Sequence, residues 1–178
     1  MNNLKASEDC KRIIRAFEGL RTEAYRCPAK KLTIGYGHLV TDKAETLNLP
    51  SGTLLMKADG ENAKIKRPDG SISKNLTKAE CEELLDLDIE KYERHVLNCI
   101  GDSKTTQNQF DAMVSFTFNL GTSNFSNSTL KREHNNGNYS LASKNFGQWV
   151  KAKNGRGGYD TLQGLVKRRK AEESLYRG

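Results

Sequence analysis

The stretch over residues 110–120 leaves this chain little choice of architecture. Met113, Val114, Phe116 and Phe118 lie within it, and Thr106-Gln107-Asn108-Gln109 before it forms a capping box, in which two side chains satisfy the open end of the first turn. A helix that is apolar on most of its sides has to be surrounded. The same sequence supplies the surroundings. A second capping box, Thr77-Lys78-Ala79-Glu80, starts a long helix to about residue 99, with Leu84, Leu85, Leu87, Ile89, Val96 and Leu97 at helical intervals. Shorter helices are expected over 128–135, 141–151 and 162–176, with Gly155-Arg156-Gly157-Gly158 as a loop between the last two. Ser7 caps a first helix through about residue 20, with Ile13, Ile14, Phe17 and Leu20 on one face.

Between the first helix and the long one the period changes. Residues 22–40 read as turn and strand, with 31–36 as the strand, and Gly35 and Gly37 flank Tyr36 where a tight backbone path is needed. Asp59-Gly60 and Pro68-Asp69-Gly70 are turn signals separating short runs over 53–57, 63–66 and 71–74. That region reads as a small meander or a flap, with a disordered insert as the competing reading. The expected class is α+β: a small antiparallel sheet and a mainly helical C-terminal lobe, joined by a long helix. At 178 residues one domain is expected. Its N-terminal helix and β lobe would take residues 1–75, with an insert at 47–75, and its helical lobe residues 76–178.

No run of about 18 apolar residues occurs, so no membrane insertion is expected. The first residues lack the apolar core of a secretory leader, so the chain is expected to be cytoplasmic when made. Cys10, Cys27, Cys81 and Cys99 form no C-x-x-C pair and read as thiols, Cys81 and Cys99 as core fillers. The net charge of +7 favours a polyanionic partner, either nucleic acid or an acidic bacterial wall. The cluster Lys167-Arg168-Arg169-Lys170 reads as a solvated helix face.

Chemistry concentrates in one segment. Eight residues separate Glu18 from Cys27, and five separate Cys27 from Thr33. Glu18 ends an apolar-periodic stretch, Cys27 falls in a turn, and Thr33 opens a β-like run. A general acid must sit near a group that guides a nucleophilic water, although a glutamate on a helix is more often simply solvated. His38 as a base for a Cys27 thiol hydrolase lacks a third orienting group. Cys10, Cys27 and His38 lack metal-ligand spacing, so neither metal nor cofactor is expected. Phe116, Phe118 and Phe125 read as core, and Trp149 as core packing ahead of sugar stacking.

The segment resembles the active-site motif of the T-even phage lysozyme and lambdoid endolysin family, glycoside hydrolase family 24. Thr33-Ile34-Gly35-Tyr36-Gly37-His38 is similar to that family's T-x-G-x-G-H run. Phe116-Thr117-Phe118-Asn119-Leu120-Gly121 with Phe125 and Ser128 resembles its F-N-x-G…F…S stretch, and Trp149 with Gly164 to Glu172 its W…GLxxRRxxE ending. The resemblance implies a lysozyme-like fold of two lobes with a cleft between them. It implies hydrolysis of the β-1,4 bond between N-acetylmuramic acid and N-acetylglucosamine in peptidoglycan, leading to lysis. Glu18 would protonate the leaving oxygen, and Thr33 with Cys27 would hold the water that inverts the anomeric centre. Many relatives carry a carboxylate where Cys27 stands, so this position would orient water or act as a thiolate drawn out by Arg26, Lys30 and Lys31. A Cys10–Cys27 disulfide, which regulates some secreted relatives, is left open beside these. Asn119, Gly121 and Ser128 would follow the substrate cleft, and His38 would pair with Asp88 as a structural ion pair. The implied partner is a glycan strand rather than nucleic acid, reached as a monomer with help from a holin or a secretion apparatus. The alternative is a non-catalytic basic protein on the same fold that binds cell wall or nucleic acid.

Overall fold

The computed structural model describes residues 3–27, 30–40, 46–59 and 62–178. They fall into two compact units, one of Glu18–Asp88 and one that joins the segment ending at Phe17 to Ile89–Gly178. The expected division at residue 75 therefore differs in two ways. The first helix belongs with the helical unit, and the long helix changes unit at Asp88. The cause of the first is visible at the chain's start. The Ser7 amide donates to Asp111 Oδ1 at 2.9 Å and its hydroxyl donates to Asp111 Oδ2, while the Ala6 amide donates to Glu93. Ser7 also caps α1 (Glu8–Glu18), accepting from the Asp9 amide at 3.2 Å. The helix stops two residues before the expected end because Gly19 turns to φ 72°, and Leu20 is exposed.

In the helical unit, α2 (Lys78–Ile100) is followed by α3 (Gln107–Leu120), whose capping box forms as the sequence requires. Every residue over 109–117 is buried. Phe116 sits among the rings of Phe146, Trp149 and Phe125 at 5.4, 5.7 and 6.4 Å, all edge-on. The short helices α4 (Thr122–Ser126), α5 (Thr129–Asn135) and α6 (Tyr139–Lys144) follow. The helix expected over 141–151 is not one. It ends at Lys144, passes through one 3-10 turn at Phe146–Gln148, and becomes β8 (Lys151–Lys153). That strand pairs with β9 (Tyr159–Thr161), so the glycine loop is a hairpin tip, closed on the Asn154 side chain by the Gly158 and Arg156 amides.

The basic cluster of the last helix, α7 (Gln163–Arg177), is not a solvated face. Arg168 and Arg169 are buried because α7 packs on α3. Both guanidiniums close on Glu172, at 3.1 Å from Arg168 Nε and 2.7 Å from Arg169 Nε, and Ser115 Oγ donates to the same carboxylate at 2.8 Å. Cys81 is fully buried as expected, but Cys99 is half-buried and faces polar neighbours. Burial, aided by the negative charges of Asp111, Glu172 and Glu93, pushes the Cys10 thiol well up. No disulfide joins the four cysteines among the described residues.

Among its described residues the β unit holds two antiparallel sheets. The first has β1 (Arg21–Arg26), β2 (Leu32–Gly35) and β3 (His38–Leu39) in that order. β1 reads RTEAYR and carries no apolar alternation, so nothing in its sequence marks it as a strand. Gly35 is needed because φ is 66° and an added methyl would meet Leu84 Cδ2 at 3.3 Å. The second sheet is the meander: β4 (Leu47–Asn48), β5 (Leu54–Asp59), β6 (Asn62–Lys66) and β7 (Ile72–Ser73), with buried Leu55 opposite buried Ile65. The Pro68-Asp69-Gly70 turn joins β6 to β7, while Gly60 of the other turn lies outside the described residues.

Glu80 ties the meander to the start of α2. It accepts from the Thr77 amide as the capping box demands, and also from Thr53 Oγ1 at 2.8 Å and from Arg67 Nε at 2.8 Å and Nη2 at 2.9 Å. Burial opposes its ionisation, but these donors outweigh it and hold the carboxyl at about 2, below its ordinary 4.5. The folded state binds this proton less readily than the unfolded chain. The stabilisation is thus complete above the unfolded value and is lost as pH falls from about 4.5 to about 2. Its size is on the order of 3 kcal/mol. Thermal melts across this window should show that loss, and Glu80→Gln should start from lower stability and flatten the slope. An unchanged slope in the variant refutes the assignment.

Candidate active site

Glu18 is the last residue of α1, and the chain geometry after it sets where its carboxyl goes. Gly19 reverses the chain, and β1 begins at Arg21 directly opposite Gly35 of β2. That register returns the chain of the β2–β3 turn to the helix end. The half-buried carboxyl consequently lies over Gly37, so close that a methyl on that glycine would stand 3.4 Å from Oε2. With φ at 92°, Gly37 serves both the turn and the approach of the acid.

Cys27 and Thr33 meet at one atom. The Lys31 carbonyl accepts from the Cys27 amide at 2.9 Å and from Thr33 Oγ1 at 3.1 Å. The Lys30 amide donates to the Cys27 carbonyl at 2.7 Å, with Lys30 in the left-handed region at φ 58°, and the Arg26 guanidinium donates to the Lys30 carbonyl at 3.0 Å. Arg26 and Cys27 are thus tied to Lys30 and Lys31. Thr33 is buried and paired on both edges, to Tyr25 in β1 and Leu39 in β3. Its hydroxyl proton is spent on Lys31, which leaves its oxygen lone pairs to accept from a water. Cys27 is half-buried. The Lys31 carbonyl was not foreseen from the sequence, and no side-chain pattern announces a backbone acceptor.

His38 Nδ1 faces both oxygens of Asp88, at 2.8 and 3.0 Å, with both residues largely buried. Two residues earlier, Tyr36 donates its hydroxyl proton to Glu82 at 2.7 Å. The segment of Thr33 to His38 is therefore fastened to α2 through the His38–Asp88 and Tyr36–Glu82 pairs and by the fit of Gly35 on Leu84. Holding a reacting group through its neighbours in this way limits its freedom at little cost during reaction.

In the helical unit, Asn119 is half-buried and its Oδ1 has no hydrogen-bond partner among the described residues. Gly121 follows as the junction of α3 and α4, at φ 88°. Ser128 differs from its expected role. It is buried, donates to the Phe125 carbonyl at 2.7 Å, and caps α5 by accepting from the Lys131 amide at 3.1 Å. Its hydroxyl is occupied in building the helix start. Phe116 and Phe125 are core, and half-buried Phe118 packs on Tyr92 at 5.1 Å.

The sequence profile of the phage lysozyme family matches residues 15–172 of this chain. The endolysin of Acyrthosiphon pisum secondary endosymbiont phage 1 is 37% identical over 165 residues, covering 92% of this chain and 92% of its own. Two solved structures are similar over nearly the whole chain. The muramidase domain of SpmX from Asticaccaulis excentricus has a TM-score of 0.75 at 28% identity and covers 99% of both chains. The endolysin of Escherichia coli phage FAHEc1 has a TM-score of 0.75 at 31% identity, with coverage of 98% and 94%. An acid over a glycine turn, a threonine on the adjoining strand and a profile spanning both units lead to one assignment: this chain belongs to the phage lysozyme family of glycoside hydrolases.

Proposed function

We propose that this chain is a muramidase that hydrolyses the β-1,4 bond between N-acetylmuramic acid and N-acetylglucosamine, with Glu18 as general acid. The observation that carries the reading is the Glu18 carboxyl lying over Gly37, in the same unit as the Cys27–Lys31–Thr33 turn. Glu18 gives its proton to the leaving glycosidic oxygen. Thr33, its own proton held by Lys31, accepts a hydrogen bond from the attacking water and turns a water lone pair toward the anomeric carbon. Being almost wholly buried, Thr33 acts on one positioned water rather than on bulk solvent. Cys27 is the second contact of that water. A thiol brings no charge to the oxocarbenium-like centre, so orientation carries more of the catalysis here than it would with a carboxylate.

Asn119 supports a saccharide contact, since its unpartnered oxygen suits an acetamido N–H, and Gly121 beside it keeps the backbone open. The reading extends to a monomer acting on a glycan strand, delivered across the membrane by a holin or a secretion apparatus. No helix among the described residues is long and apolar enough to cross a membrane. A nucleic-acid role draws less support, because two of the four cations in the 167–170 cluster are buried against Glu172.

The test is product chemistry. Peptidoglycan digested with the purified chain and then reduced with borohydride should yield N-acetylmuramitol, with the α anomer as the first product before reduction. New N-acetylglucosaminitol ends would make the enzyme a glucosaminidase. A β anomer would replace water attack by a covalent intermediate. Retention on walls with no new reducing ends would favour the non-catalytic alternative.

A further inference from the structure

One polar cluster in the helical unit takes no part in the chemistry above. His95 and Cys99 stand one turn apart on α2, and α4 presents two oxygen atoms to them. His95 Nε2 is 2.9 Å from Ser126 Oγ, 3.1 Å from the Thr122 carbonyl oxygen and 3.5 Å from Cys99 Sγ. Cys99 Sγ is also 3.5 Å from Ser126 Oγ. One sulfur and two oxygens thus lie within 3.5 Å of His95 Nε2. The edge of the His95 ring closes against Phe125, with centroids 6.4 Å apart, which limits its rotation.

We infer that this cluster is a binding site for one thiophilic divalent cation, zinc or cadmium. A tetrahedral ion with bonds of about 2.0–2.3 Å to nitrogen, oxygen and sulfur requires its ligand atoms to lie about 3.3–3.6 Å apart. The Nε2–Sγ separation and that from Sγ to Ser126 Oγ already match, and the two nitrogen–oxygen separations need to open by a few tenths of an ångström. In the metal-free state the Thr122 carbonyl can only accept, so Nε2 carries the imidazole proton toward it. On binding, that proton moves to Nδ1 and the Cys99 thiol proton goes to solvent, leaving a neutral imidazole and a thiolate as the two strong ligands. Neutral oxygens from Ser126 and Thr122 complete the shell. With only two strong ligands the affinity falls on the order of micromolar, below that of a full structural zinc site. The ion would fasten α4 to α2.

The decisive experiment titrates the metal-free full chain with cadmium alone and follows the ultraviolet thiolate-to-cadmium absorption. One ion per chain is expected. The signal should persist in Cys27→Ser, vanish in Cys99→Ser and require at least about tenfold more cadmium in His95→Gln. Saturating zinc should raise the melting temperature of the wild type and of Cys27→Ser, but not of Cys99→Ser. Circular dichroism tells a folded variant from a collapsed one, and His95→Gln decides if Cys99→Ser misfolds. A signal undiminished in Cys99→Ser, or equal affinity in His95→Gln, overturns the site.

Discussion

Glu18→Gln is expected to reduce peptidoglycan hydrolysis by a factor on the order of 10²–10⁴ while leaving the fold intact. The amide has nearly the shape of the carboxyl, so its place over Gly37 is kept, but it holds no acidic proton for the leaving oxygen. Glu18 is half-buried at a helix end, so stability should change by no more than about 0.5 kcal/mol. Release of reducing ends and the melting temperature, measured on the same preparation, separate the two quantities. Activity above a tenth of wild type would remove Glu18 from the chemical step. It would also revive a thiol route through Cys27, which the amide would leave untouched. Thr33→Val makes the complementary point. It keeps the buried shape and removes the hydroxyl, so it should impair the attack of water with Glu18 still in place.

The elements whose role was legible in the sequence are those whose own side chains carry the signal. The two capping boxes and the buried run of α3 appear as expected, because caps and periodicity are local properties. The Glu18, Cys27 and Thr33 spacing was legible as a pattern, and the His38–Asp88 pair followed from the resemblance. What was not legible depends on partners distant in sequence. β1 has a charged, unalternating sequence and is held as a strand by pairing with β2 and by the bridge from Glu23 to Asn75. Lys167 to Lys170 looks like an exposed basic run until α3 covers two of its arginines and Glu172 neutralises them. Ser128 looks like a cleft residue because its motif fits, but its hydroxyl is needed to start α5. The Lys31 carbonyl, which joins the water-holding pair, has no side-chain signature at all.

Glu172→Gln is expected to be the most damaging single change to stability, at about 3–5 kcal/mol. The carboxylate has no exposed surface and receives Arg168, Arg169 and Ser115. Burial pushes its carboxyl up, and the Arg169 and Arg168 guanidiniums offset only part of that rise. Replacing it by an amide leaves two buried cations without a counter-charge and turns an N–H₂ group toward donors that need an acceptor. A loss of that size is a large part of the 5–15 kcal/mol typical of a domain. The midpoint of urea unfolding should fall accordingly, with the slope unchanged. The network as a whole is another matter, because desolvating three charges costs nearly as much as their attraction returns. The triple change Arg168→Met, Arg169→Met, Glu172→Leu should therefore be less destabilising than Glu172→Gln alone. Positions 169 and 168 each have an apolar neighbour, since the Arg169 guanidinium already lies 5.0 Å from the Phe116 ring and that of Arg168 5.8 Å from the Phe17 ring. If the triple variant instead loses more than the single one, the ion network contributes net stability here and its arginines are more than a satisfied burial.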